Sequence, residues 1–341
     1  MLIWFDADNG PHVLTMNPLV RELRSRGHDV VFTARDRTST CELLDLYGHQ
    51  YRRVGKEFGK GKLNKVTGTL GRAIQLVGTM MGQKIDVSFG HGSRSLPLAS
   101  KLLGIPTVTM YDYEWVDPRM FNWMCRSILM PDVIDADRCR AAGIDTTIFL
   151  GYPGYKEQLY LAEKQLDPDA VASDLGLSPE KIHVLLRPPA TSAHYHNPKA
   201  EILLDILLDA MTGRDDVELV FLARSVDQME YLKPHDVRHV LVPSRVYDGP
   251  SFVAAMDLMI SGGGTMTREA AILGVPSYSF FQGQSGRVDE SLEAEGRLIM
   301  LCSEEEATDR LRLEKRSGPL SVPDNGPLVS FITDAIEAAA G

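Results

Sequence analysis

Short apolar runs alternate with stretches of helical spacing along the whole chain. In the first half, residues 2–6 (LIWFD), 29–35 (DVVFTAR), 50–54 (QYRRV), 85–90 (IDVSFG), 106–112 (PTVTMYD), 127–131 (SILMP) and 146–151 (TTIFLG) read as strands. Residues 13–27, 38–48 and 95–104 read as helices closed by glycine, and 135–143 as a helix capped by Asp135. The pattern lapses over 152–167, which reads as a connector, and then resumes. Strands are expected at 182–188, 217–224, 238–243, 258–261, 276–281 and 298–302, with a helix at 198–213 and a Ser303–Glu306 capping box. Such alternation predicts an α/β protein of two doubly wound parallel sheets. We place the domains at 1–155 and 156–326, followed by a C-terminal helix at 327–341. Ligands of open parallel sheets bind beyond the carboxyl ends of the strands. The site is therefore expected in a cleft between the two halves.

The 341 residues suffice for two full cores. A net charge of -10 argues against general nucleic-acid binding, which needs surplus Lys and Arg. Cys41, Cys125, Cys139 and Cys302 are scattered without CxxC spacing, which fits a reducing compartment and no zinc site. No apolar run reaches membrane-spanning length, and the apolar start is too short for a signal peptide, so a cytoplasmic location is expected. One stretch opposes the overall acidity. Residues 51–65 carry Arg52, Arg53, Lys56, Lys60, Lys62 and Lys65 against Glu57 alone. Two readings stand: a solvated loop, or a docking surface for an anionic acceptor, lipid-linked or polymeric, or for the anionic inner face of a membrane. The apolar stretch 70–81 would be the helix that carries such a surface.

Residues 259–274 read MISGGGTMTREAAILG. A strand that empties through Gly262, Gly263 and Gly264 into a helix starting near Thr265 gathers unpaired N–H groups and the positive end of a helix dipole, which suits a phosphate. Glu269, one turn inside that helix, is placed to accept hydrogen bonds from ribose hydroxyls. The alternative is a purely steric turn. Neither a Walker lysine nor a GxGxxG fingerprint is present, so an ATPase or nicotinamide site is not expected.

The segment GPHVLTMNPLVREL (10–23), then RGHDVVFTAR, HGSRS (91–95) and SGGGTMTREAAILGVP (261–276) resemble, in order, motifs of GT-B fold proteins, especially the non-hydrolysing UDP-N-acetylglucosamine 2-epimerases. The DxxNxPHV start and GGTMTREAA turn resemble most an uncharacterised archaeal and bacterial GT-B-like family, a domain of unknown function. The resemblance implies a GT-B-like fold of two Rossmann-like halves and a nucleotide-sugar substrate, UDP-linked, with no required cofactor. The chain departs from the epimerases at Gly10, where their first loop carries arginine, and at Ser93, where HGD carries aspartate. Their two further carboxylates have no match at Tyr111, beside Asp112, or at Arg119 and Met120. Since proton abstraction beside an anomeric centre needs a positioned acid and base, 2-epimerisation is disfavoured.

Glycosyl transfer is the leading expectation, followed by nucleotide-sugar epimerisation or hydrolysis, and by a non-catalytic nucleotide-sugar-binding protein. In GT-B glycosyltransferases the loop after the first strand often carries the base that activates the acceptor. His12 sits there, after Asp6, Asp8 and Asn9, and a neighbouring carboxylate would raise its pKa; alternatively it caps the helix. Asp112 is the second candidate base. Asn9, His91, Ser93 and Glu114 are expected to bind substrate, with Tyr113 and Trp115 as a sugar platform or as packing anchors. Arg187, at the end of its strand, suits bidentate contact with phosphate. The resemblance places Ser244, Arg245 and Phe252 at the base. His194 and His196 have no nearby acidic or cysteine partner in sequence, and the Asp6/Asp8 and Asp135/Asp137 pairs lack the context of a metal-binding DxD motif. No metal is expected. Oligomeric state is left open.

Overall fold

A computed structural model describes residues 1–37, 39–56, 61–189 and 197–341. They form two compact units, residues 1–160 with 324–341, and residues 161–323. Part of the basic stretch, at 57–60, lies outside the described residues, as do His194 and His196.

The first unit holds a parallel sheet of β1 (Leu2–Ala7), β2 (Asp29–Asp36), β3 (Tyr51–Lys56), β4 (Val87–His91), β5 (Thr107–Met110), β6 (Ser127–Pro131) and β7 (Phe149–Tyr152). Its order is β3-β2-β1-β4-β5-β6-β7, so the winding reverses between β1 and β4, where Asp6 lies opposite Gly90. Alternate side chains of β1 enter opposite cores, as the period of two in a strand requires. Ile3 and Phe5 pack with Phe32, Phe89 and Leu19 beneath the helices Gly10–Ser25, Thr40–Leu46 and Gly326–Ala340. Trp4 packs on the other side with Val54, Leu76 and Leu96, beneath the helices Lys62–Met80 and Ser95–Leu103. The helix Gly10–Ser25 starts with Pro11 at a position that needs no N–H donor, and the Asn9 side chain accepts from the Gly10 N–H. Asn9 therefore caps the helix, not His12.

The second unit holds β8 (Ile182–Arg187), β9 (Val217–Phe221), β10 (Val240–Leu241), β11 (Leu258–Ser261), β12 (Ser277–Ser279) and β13 (Leu298–Met300), again all parallel. Their order is β10-β9-β8-β11-β12-β13, with the reversal between β8 and β11. Strands covered on both faces read as continuous apolar runs, which is why 182–188 and 258–261 stand out in the sequence. Leu186, Ile260, Phe221 and Phe280 form one core with Leu204 and Leu208 of the helix Lys199–Met211.

Three features go beyond the sequence reading. The helix expected from residue 70 already starts at Lys62. A short helix, Gly249–Ala254, capped by Asp248, lies where the sequence pattern marks no element. The C-terminal helix packs on the first unit, against the helix Gly10–Ser25, although it follows the second unit in sequence.

Candidate functional site

At the reversal point of the second sheet, Arg187 ends β8 and Ser261 ends β11, opposite each other in register. The turn that follows requires glycine three times over. A Cβ on Gly262 would sit 2.7 Å from the Pro189 Cα, and Gly263 and Gly264 hold φ of +88° and +112°. Ser261 ties the turn: its hydroxyl accepts from the Gly263 N–H at 3.0 Å and hydrogen-bonds the Thr267 hydroxyl. The helix Thr265–Leu273 then starts without a capping side chain and without an acid in its first turn. Its leading N–H groups and dipole are left to attract an anion.

Arg187 stands at this turn with its Nε buried and without a hydrogen-bond partner among the described residues. Burial, and then Arg224, lower its pKa to about 10, against the opposing charge of Glu269. The guanidinium thus stays charged at neutral pH. Glu269 is 3% exposed. One of its carboxylate oxygens lies 3.5 Å from where a Cβ on Gly249 would be, so it sits against the start of the helix Gly249–Ala254. Ser244 and Arg245 are exposed, and Arg245 pairs with Asp174 at 2.8 Å while lying over the Tyr247 ring. Phe252, expected beside a base, is 2% exposed and stacked against Tyr247, with ring centroids 5.0 Å apart. The less buried ring of that stack is Tyr247.

In the first unit the reversal point brings His12, after β1, against His91, the last residue of β4. Their ring centroids are 4.4 Å apart. His12 is partly exposed, but its Nδ1 is enclosed, as is Nε2 of His91, and neither atom has a hydrogen-bond partner among the described residues. Asp112 accepts an ion pair from Lys156 at 2.5 Å, and Glu157 lies 3.6 Å from the same ammonium. The expected rise in the His12 pKa is corrected. Burial, then His91 and Lys156, hold it well below the usual histidine range, and Asp112 only partly opposes them. Burial and Lys156 likewise bring His91 down to about 4. Both imidazoles are therefore neutral at pH 7 and able to take up a proton.

Asp6 is not the carboxylate that serves His12. It is fully buried and held by Arg72 through two hydrogen bonds of 2.7 and 2.8 Å, by the Thr33 hydroxyl at 2.6 Å and by the Ser93 hydroxyl at 2.9 Å. Ser93, expected to bind substrate, thus donates to Asp6 from a buried position. Asp8 pairs with Arg35 at 3.2 Å. Glu114, also expected to bind substrate, is fully buried and paired with Arg138 at 2.7 Å, and Arg138 lies over the Trp115 ring. Trp115 is thereby a packing partner of that ion pair. The group missed from sequence is Lys156, which lies in the supposed connector and 44 residues from Asp112.

Several known proteins are similar to this one. An uncharacterized protein of Methanocaldococcus jannaschii is 24% identical over 331 residues, 94% of each chain. The crystal structure of the UDP-GlcNAc 2-epimerase from Neisseria meningitidis bound to UDP-GlcNAc matches with a TM-score of 0.75 at 13% identity, over 99% of this chain and 100% of that one. The glycotransferase of kitacinnamycin matches with a TM-score of 0.58 at 17% identity, over 100% and 96%. At these identities the likeness shows the fold, which is GT-B-like. The family match spans residues 1–334, and the chain belongs to the family described as "Protein of unknown function (DUF354)".

Proposed function

We propose that the chain transfers a sugar from a nucleoside-diphosphate donor, UDP-linked, to a hydroxyl acceptor. The observation that carries this reading is the charged fork of Arg187 beside the uncapped helix that follows Gly262, Gly263 and Gly264. A diphosphate placed there meets backbone N–H groups, a helix dipole and one guanidinium, with Thr265 at the helix start. In the transfer step the acceptor oxygen bonds to the anomeric carbon and the bond from that carbon to the diphosphate breaks. The acceptor proton passes to the neutral imidazole of His12, with Asp112 as the alternative base. The leaving diphosphate is stabilised by the helix and Arg187, so this reading assigns no step to a metal.

The test begins with thermal melting in the presence of UDP and of UDP-GlcNAc. Saturation at about 100 times Kd should add about 2.7 kcal/mol of stability, and Arg187→Met should remove most of that gain. Absence of stabilisation by either nucleotide would overturn the reading. The likeness to UDP-GlcNAc 2-epimerases supports a second reading, in which the donor sugar itself is epimerised or hydrolysed. Incubation with UDP-GlcNAc and no acceptor separates the two. Epimer or free sugar forming at a catalytic rate would put the second reading first.

A further inference from the structure

The helix Lys62–Met80 has an apolar face turned away from its core as well as one turned toward it. Ala73, Leu76 and Met80 are buried against Trp4 and Leu96. Val66, Leu70, Ile74 and, just past the helix end, Met81 are instead between 48% and 69% exposed. At 3.6 residues per turn these four, with Val77, fall within an arc of roughly 80°. The helix contains no Asp or Glu. Two neighbouring elements add to the exposed apolar surface: Leu102, on the helix Ser95–Leu103 that packs against it, and Trp123, which is 70% exposed with the Lys101 ammonium 6.0 Å from its ring.

Charge singles out the same region. Apart from Arg72, which is buried with Asp6, residues 51–111 contain nine Lys and Arg but only Glu57 and Asp86 as acids, in a chain whose net charge is -10. Lys65, Arg94 and Lys101 are exposed among them. A second copy presenting the same face would set these cations against each other. An anionic surface would not. Among the described residues no helix is long and apolar enough to cross a membrane.

We propose that this face, centred on Leu70 and Ile74, rests on the surface of an anionic phospholipid bilayer, with the helix lying in the plane of the interface. Apolar side chains then enter the acyl boundary, Trp123 takes the headgroup level favoured by indole rings, and the basic side chains reach the phosphates. The assignment stands independently of the glycosyl-transfer reading, because none of these residues belongs to the His12 or Arg187 sites.

The experiment is co-sedimentation of the full chain with vesicles of phosphatidylglycerol and phosphatidylcholine, compared with phosphatidylcholine alone. Binding should require the anionic lipid and weaken as salt is raised. Leu70→Glu with Ile74→Glu should lower the partition coefficient about tenfold or more. Lys65→Gln with Lys101→Gln should lower it about fivefold per charge, with melting temperature and nucleotide response as checks of folding. Should the glutamate variant fail to fold, the charge variant and the emission of Trp123, lost in Trp123→Phe and expected to shift to the blue on anionic vesicles only, decide the matter. Equal binding to both vesicle types, no binding to either at low salt, or a self-association that Ile74→Glu abolishes without changing lipid binding would overturn the proposal.

Discussion

The imidazole of His12 lies against that of His91, ring centroid to ring centroid at 4.4 Å, at the point where the first sheet reverses its winding. A buried histidine held at about 4 in the folded chain, against about 6.5 when unfolded, binds its proton later than the unfolded chain does. Between those values the unfolded state holds more protons, so stability falls as pH falls. Above 6.5 both states are neutral and the contribution is fully present; below 4 it is fully lost. For His91 the loss is about 3 kcal/mol. Melting followed from pH 7 to pH 4 should show it, and His91→Asn should flatten the decline. An unchanged slope in that variant would mean that other groups drive it.

Arg72 and Asp6 form a buried pair whose partners are 66 residues apart in sequence. Removing one partner strands the other charge, at a cost of about 3–5 kcal/mol. Arg72→Met should therefore destabilise the first unit strongly, and Asp6→Asn less, since an amide can keep part of the hydrogen bonding. The double substitution Asp6→Leu with Arg72→Met should recover much of the loss. Denaturant unfolding of the three variants checks the order, and a double variant no more stable than Arg72→Met alone would contradict it.

That pair also shows where sequence reading stops. The parallel strands were legible because burial on both faces makes them apolar runs, and the glycine turn because Gly262, Gly263 and Gly264 meet separate steric demands. Pairings between distant residues leave no such periodic mark. Arg72 did leave a trace, as the one charge between Lys65 and Lys84, and Asp6 as an acid closing the strand LIWFD, but neither names its partner. The docking of the C-terminal helix, the burial of Phe252 against Tyr247 and the use of Ser93 by Asp6 likewise depend on tertiary packing. Asn9 as the helix cap was readable from its place before Gly10 and Pro11.

Gly264 provides a test that separates conformation from crowding. Its φ of +112° with ψ of -174° lies in a region kept almost wholly by glycine, yet nothing stands within 4 Å of a Cβ placed there. Gly264→Ala should cost about 1–3 kcal/mol from backbone strain alone. Gly262→Ala meets the Pro189 backbone at 2.7 Å and should cost more. If the turn cradles a diphosphate, Gly264→Ala should also lose the melting shift with UDP while remaining folded. A folded Gly264→Ala variant with an undiminished UDP response would place the nucleotide elsewhere.

After burial, Lys156 is a further charge that lowers the proton affinity of both histidines, and it pairs with Asp112 at the same time. Its ammonium lowers His12 and His91, whereas Asp112 raises them. Lys156→Met removes the lowering charge and leaves Asp112 without its 2.5 Å partner. Both imidazoles should then protonate at higher pH, and the acid limb of the rate profile should move upward as His12 becomes a charged, incompetent base. Asp112→Asn should act in the opposite direction and move that limb down, provided His12 is the base. If Asp112 itself takes the proton, Asp112→Asn abolishes turnover at every pH. The pH dependence of kcat/KM in the two variants, read beside imidazole titration by NMR, thus assigns the base to one residue or the other. Because both candidate bases belong to the first unit and the turn proposed for the diphosphate to the second, UDP stabilisation, if that proposal holds, should be the same in both variants as in the unaltered chain. A parallel loss of UDP binding would mean that the substitutions had damaged the fold.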